Sequence, residues 1–131
     1  MFSQNLNALI REFPEERDAV SRLTERFIRD AEKLGDKAQY PANRIYDVAQ
    51  PMSGWALLAI LERLCELGIL SKFVRVESDR SGAIDDFATV LDVPHVLFDP
   101  KIGHDVEIRP DQLKLYFRLQ PKDPQIQRTG S

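Results

Sequence analysis

The apolar residues Leu57, Ile60, Leu61, Leu64 and Leu67 recur at three- and four-residue spacing, which places them on one face of a helix. Glu62, Arg63 and Glu66 fall mainly on the other side. Ser53 precedes this pattern and suits an N-cap, because its hydroxyl can accept from the free backbone N–H groups of the first turn. Gly68 follows it, where a left-handed residue ends a helix without steric cost. Phe73, Val74, Arg75, Val76 and Glu77 come next and predict a strand with at least one buried face.

The same spacing predicts two earlier helices. Residues 2–13 carry Phe2, Leu6, Leu9 and Phe13 on one stripe. Pro14 suits the first turn of a second helix, where its missing N–H is not needed. That helix runs to Leu34 and ends at Gly35, with Val20, Leu23, Phe27, Ala31 and Leu34 as its seam. Asp18 with Arg22, and Glu25 with Arg29, are i,i+4 pairs on its polar side. The seam can pack on the rest of the chain or pair with a second copy, and the first is favoured because such a stripe usually faces a core.

Residues 36–40 read as a polar loop. Pro41 then opens a short helix with Ile45, Tyr46 and Val48 facing inward, and Gln50, Pro51 and Met52 form a turn. A helix, a tight turn and a second helix thus occupy 41–67, a helix-turn-helix arrangement. Past the strand, 77–86 (ESDRSGAIDD) reads as a loop or wing tip, and Phe87, Val90, Leu91 and Val93 as a packed irregular segment or helical turn. Short strands are expected at 95–99 and around Val106 and Ile108, with turns at 99–103 and 110–112. Leu113, Leu115, Phe117 and Leu119 alternate with Lys114, Tyr116 and Arg118, which predicts a strand with one buried face. The tail 120–131 has two prolines and little to bury, and is expected to be flexible.

A chain of 131 residues, 43% hydrophobic and 30% charged, fits an ordinary globular protein large enough for a real core. No apolar run approaches the ~18 residues of a membrane span, and no secretion signal is evident. One cysteine, Cys65, excludes an internal disulfide; a cytoplasmic location is therefore expected. Its place in the helical pattern reads as a small core residue rather than a nucleophile.

Residues 41 to about 119 resemble a winged-helix domain, through the run SGWALLAILERLCELGIL and the strands after it. The run VPHVLFDPKIGHDVEIRPDQLKLYFRL also resembles small accessory proteins of bacterial multi-gene systems. Neither resemblance transfers site residues. The expected fold is α+β: an N-terminal helical pair (1–35), then a winged-helix-like domain (36–119) with a sheet of three or four mainly antiparallel strands. Its core is expected to contain Leu57, Ile60, Leu61, Leu64, Val74, Val76, Leu115 and Phe117.

Many winged helices bind DNA, which requires a polar and usually basic face on the second helix of the motif. Here that face reads as Trp55, Ala59, Glu62, Arg63 and Glu66, and residues 40–119 hold nine Lys and Arg against 12 Asp and Glu, a net of −3. The balance favours a protein partner. The leading reading is a non-catalytic adaptor, an accessory subunit bound to a larger protein such as a nucleotide-driven machine, with homodimer formation through the N-terminal helices as a further expectation. The contact candidates are Trp55, Met52, Arg75 and Arg118. Trp55 reads either as packed on the preceding helix beside Met52 or as an exposed anchor, and the two arginines as solvated charges or contacts. The alternative is a DNA-binding regulator using Ser53, Arg63 and Arg80.

Enzyme readings find little support. There is no Gly-rich phosphate loop. Cys65, His95 and His104 lack zinc-finger spacing. Asp99, Asp105, Glu107 and Arg109 cluster near one turn and bear a slight likeness to metal-dependent nucleases, but an acidic hairpin turn explains them more simply. No catalysis, cofactor or metal is expected.

Overall fold

The computed structural model describes residues 2–120. The Phe2 side chain and the tail beyond Gln120 lie outside the described residues. The fold is α+β, with four helices and six strands in antiparallel sheets. The helices are α1 (Phe2–Glu12), α2 (Arg17–Leu34), α3 (Ala42–Ala49) and α4 (Gly54–Glu66). The strands are β1 (Gln39–Pro41), β2 (Leu70–Ser78), β3 (Gly82–Phe87), β4 (Val96–Asp99), β5 (His104–Glu107) and β6 (Leu113–Leu119). One sheet has the order β1-β6-β2-β3, and β4 pairs with β5 in a second. The sequence predicted one sheet of three or four strands, so the separate β4–β5 ribbon is an addition.

The chain gathers into two compact units. The first runs to Ser71 and resumes at Phe117, and the second is Lys72–Tyr116. The N-terminal helical pair, expected as a domain of its own, belongs with α3 and α4 to the first unit because they share one core. Leu9 of α1, Val20, Leu23 and Phe27 of α2, Ile45 of α3, and Leu57, Ile60, Leu61 and Leu64 of α4 are all buried in it. Cys65 packs against this core, half-buried. The α2 seam is therefore used within the same chain, which removes the basis for pairing through it. Only Leu34 of that seam is exposed, at the last turn before Gly35. Ala31 is half-buried against the core.

Helix α4 ends as its sequence predicts. Gly68 has a φ of +76°, its N–H donates to Cys65 O at 3.0 Å, and Ile69 N–H donates to Leu64 O at 3.0 Å. These two bonds close a Schellman motif and turn the chain into β2.

The expected loop at 36–40 is instead a turn followed by β1. Leu119 N–H donates to Ala38 O at 2.9 Å, and Ala38 and Tyr40 are buried. The polar letters conceal a buried pair: Tyr40 O–H donates to Asp30 Oδ2 at 2.6 Å, and Arg26 Nε–H donates to the same oxygen at 2.9 Å. Burial alone would raise the Asp30 pKa, but these donors outweigh it and hold the carboxyl below its ordinary value of 3.8.

In the second unit β2 and β3 form a hairpin over the segment 77–86, which was expected to be a loop or wing tip. Val74 faces Phe87, Arg75 faces Asp86, and a bulge follows Val76. Ser78 Oγ closes the turn by accepting from the N–H groups of Arg80 and Ser81 at 3.2 and 3.3 Å. Val74 and Val76 are buried as expected. Leu115 is not: it is 41% exposed, on the part of β6 that belongs to the second unit, whereas Phe117 and Leu119 reach the first unit's core. Val90 and Leu91, expected to pack, are exposed on a short 3-10 turn, while Phe87 and Val93 are half-buried.

The Asp30 pair generates a test. Because its folded-state pKa is lowered, Asp30 adds stability above the unfolded carboxyl pKa, and this is lost as pH falls through the folded value. Tyr40→Phe should keep the ring packing on Phe27 yet cost about 1.5–3 kcal/mol at neutral pH, the range for a hydrogen bond to a charged group. The deficit should shrink below pH 3.8, measured by urea unfolding at several pH values.

Candidate interaction surface on α3 and α4

The turn between α3 and α4 is held by one residue just before α2 and one within it. Glu16, in the 3-10 turn before α2, is buried, and its carboxylate accepts from Met52 N–H at 2.8 Å and Ser53 N–H at 3.1 Å. Arg22 of α2 donates from Nε to Ala49 O at 2.9 Å and from Nη2 to Gln50 O at 3.2 Å. A cation thus caps the α3 C-terminus, and an anion satisfies the N–H groups leading into α4. Gln50 between them adopts φ 47°, ψ 60°, the left-handed conformation that glycine usually supplies. Ser53 is the N-cap, its Oγ accepting from Ala56 N–H at 3.3 Å.

This arrangement decides the orientation of α4. With Leu57, Ile60, Leu61 and Leu64 inward, Trp55, Leu58, Ala59 and Glu62 form the outward ridge, spaced three and four apart. Trp55 is 83% exposed, so it does not pack on α3 beside Met52, which is itself 83% exposed. Tyr46, expected to face inward, is 50% exposed, as is Leu58. The inward residues of α3 are Ile45 and Ala49, four apart, and Tyr46 lies about 100° round the helix from Ile45. Asn43, Tyr46 and Asp47 on α3 face Trp55, Leu58 and Leu61 on α4 across an open groove of about 610 Å³.

Sequence reasoning named Trp55 and Met52 but missed Tyr46, Asp47 and Leu58. Leu58 carried a signal: it is the leucine off the buried stripe, one turn beyond Trp55. Glu16 and Arg22 gave none, because their partners lie 27 to 37 residues away.

The other candidates sit elsewhere. Arg75 is in the second unit, paired with Asp86 through Nε–Oδ1 at 2.8 Å and Nη2–Oδ2 at 3.1 Å. Its guanidinium lies 4.4 Å from the Tyr116 ring centroid and 5.3 Å from that of Phe73. Expected as a solvated charge or a contact, it is engaged within its own sheet. Arg118 is half-buried on β6. Arg63 is bound to Glu12 at 3.2 Å and Glu66 at 3.0 Å, and these carboxylates raise its pKa. Arg80 is exposed at the β2–β3 turn.

The acidic turn is dispersed by strand alternation. Asp99 pairs with His104, while Asp105 and Glu107 pair with Phe98 and Val96 and therefore lie on the other face of the ribbon. Asp99 is buried; its carboxylate accepts from Ser81 Oγ at 2.6 Å and Lys101 N–H at 3.0 Å. The Ser81 bond leads the causes that hold its pKa below the ordinary value. Among the described residues, no group of three or more His, Cys, Asp or Glu is placed to hold a metal ion. No helix among them is long and apolar enough to cross a membrane.

No protein-family model, curated protein or solved structure matches the chain.

Two substitutions test the turn. Glu16→Ala should cost about 2–4 kcal/mol by removing two charge-assisted bonds. It should also speed amide exchange at Met52 and Ser53 well beyond that of β1; unchanged exchange there would mean that Glu16 does not hold the turn. Gln50→Gly should instead raise stability by about 0.5–1 kcal/mol, by relieving the left-handed strain.

Proposed function

We propose that this chain is a non-catalytic protein-interaction adaptor with a winged-helix-like arrangement, serving as an accessory subunit of a larger assembly. The α3–turn–α4 order followed by the β2–β3 hairpin supports the winged-helix reading. The observation that carries the function is the exposure of Trp55, which lines one groove with Tyr46 and Leu58, themselves half exposed, while Met52 is exposed in the turn before α4. Large apolar side chains seldom cluster on the outside of a small domain unless a partner covers them, and tryptophan is prominent among interface hot spots.

The DNA-binding reading is weaker on the same surface. A groove-reading helix presents polar and basic side chains, whereas the outward ridge of α4 is Trp55, Leu58, Ala59 and Glu62. Arg63 is occupied by two carboxylates, and Ser53 by its capping bond. The segment 72–116, which includes the Arg80 turn, holds six Lys and Arg against nine Asp and Glu.

Co-purification from native cells tests the proposal. The wild-type chain should retain a larger protein that Trp55→Ala loses. Because Trp55 is exposed, that substitution should change folding stability by no more than about 0.5 kcal/mol. A partner retained by Trp55→Ala would remove Trp55 as the anchor. Duplex binding at ~150 mM salt, abolished by Arg63→Ala with Arg80→Ala, would favour the regulator reading instead.

A further inference from the structure

The β4–β5 ribbon of the second unit is a sheet of two strands, so among the described residues neither strand has a neighbour on its outer side. One bond fixes which backbone groups reach those outer edges. Ile108 N–H donates to His95 O at 2.8 Å, which makes residues 95 and 108 a hydrogen-bonded pair of the antiparallel ladder. Such pairs alternate with non-bonded ones, so in the observed register Leu97–Val106 is bonded, whereas Val96–Glu107 and Phe98–Asp105 are not. The N–H and C=O groups of Val96 and Phe98 therefore point away from β5, out of the β4 edge. Those of Asp105 and Glu107 point out of the β5 edge.

The edges of this unit differ in charge. β5 carries Asp105 and Glu107, and β3, which ends the four-stranded sheet, carries Asp85 and Asp86. A second copy pairing with itself on either edge would bring carboxylates against carboxylates, which is destabilising. β4 reads Val96-Leu97-Phe98-Asp99, and its one acid is buried and bound to Ser81 and Lys101. Val96 and Phe98 are 52% and 57% exposed. An open edge with exposed apolar side chains and no exposed charge is a template for a further strand.

We infer that β4 pairs with β4 of a second copy, antiparallel about a two-fold axis at Leu97. In that register Val96 stands opposite Phe98 of the second copy, and Phe98 opposite its Val96. All the outward groups of these residues are then used, in four backbone hydrogen bonds, and both apolar pairs fall on one face. The edge is its own complement, as a two-fold interface requires. Pro94 and Pro100 flank the strand and have no N–H with which to extend the ladder. The two β5 strands are left three strand spacings apart, about 14 Å, beyond the screening length of about 8 Å at physiological salt, so Asp105 and Glu107 do not oppose the pairing. The paired span is short, which makes the dimer weak and concentration-dependent. This edge belongs to the second unit and does not depend on the adaptor reading.

Cross-linking tests the register. In a Cys65→Ala background, Leu97→Cys places two thiols in a non-bonded pair whose Cα atoms lie about 4.5 Å apart, within disulfide reach. Mild oxidation should yield a covalent dimer in amounts that rise with protein concentration. Glu107→Cys, on strands about 14 Å apart, should yield none above background.

Leu97 is half-buried, so sedimentation of variants at exposed Val96 gives an independent reading. Val96→Pro removes an outward N–H at the first position of the strand, where proline is tolerated, and spares the β4–β5 bonds. It should weaken dimerisation at least about tenfold, through loss of two of the four bonds. Val96→Thr keeps the N–H and the shape and should stay within about threefold of the wild-type chain. The pairing is refuted if the wild-type chain sediments as a monomer up to about 1 mM. It is refuted equally if Glu107→Cys cross-links as readily as Leu97→Cys, or if folded Leu97→Cys does not cross-link where the wild-type chain dimerises. A folded Val96→Pro chain that dimerises like wild type would also overturn it.

Discussion

The carboxylate of Glu16 accepts two backbone N–H groups that lie 36 and 37 residues further along the chain, and the outer face of the first unit depends on it. A short connection between two helices leaves N–H groups at the start of the second without intrahelical partners. Here a buried anion takes the N–H groups of Met52 and Ser53, and Ser53 takes that of Ala56. Arg22 supplies the opposite charge to the α3 carbonyls one step earlier. The two ion-to-backbone contacts fix both ends of a turn whose middle residue, Gln50, stands in a conformation unfavourable to its side chain. They also explain why the first two helices are inseparable from the second two.

Once the turn is fixed, the orientation of α4 leaves little freedom. Its buried stripe is completed by Leu57, Ile60, Leu61 and Leu64, and α3 contributes Ile45 and Ala49. Trp55, Leu58 and Tyr46 are thereby excluded from the core for geometric reasons. They are not surplus apolar residues at random positions: they line one groove with a single carboxylate among them. Polar groups elsewhere are well matched, and among the described residues no buried side-chain nitrogen or oxygen lacks a partner.

Much of this was legible wherever local chemistry decides structure. The cap at Ser53, the stop at Gly68, the stripe of α4 and the α2 seam all follow from spacing and from residue types suited to helix ends. What escaped depends on contacts distant in sequence. Tyr40 reads as a polar-loop residue until Asp30 and Arg26 provide its partners. Asp85 and Asp86 look like loop acids, yet they sit on β3, where Asp86 neutralises Arg75 across the hairpin. Leu115 falls on the same side of β6 as Phe117, but alternation reports which side of a strand a residue faces, not whether anything covers that side. For the groove, the sequence offered Trp55 and the misplaced Leu58, while Tyr46 acquired meaning only through its position opposite them.

The route of the chain carries a consequence of its own. The second unit is an insertion, which the chain enters along β2 and leaves along β6. At the first unit's boundary those two strands are fastened together: Gln120 N–H donates to Ile69 O at 2.7 Å, and the Gln120 side chain donates to Ser71 Oγ at 2.9 Å. The two crossing points are neighbours, so an inserted segment that begins and ends on adjacent antiparallel strands meets the geometric requirement for joining there. A segment of another length would meet the same requirement wherever its ends fell on those two strands.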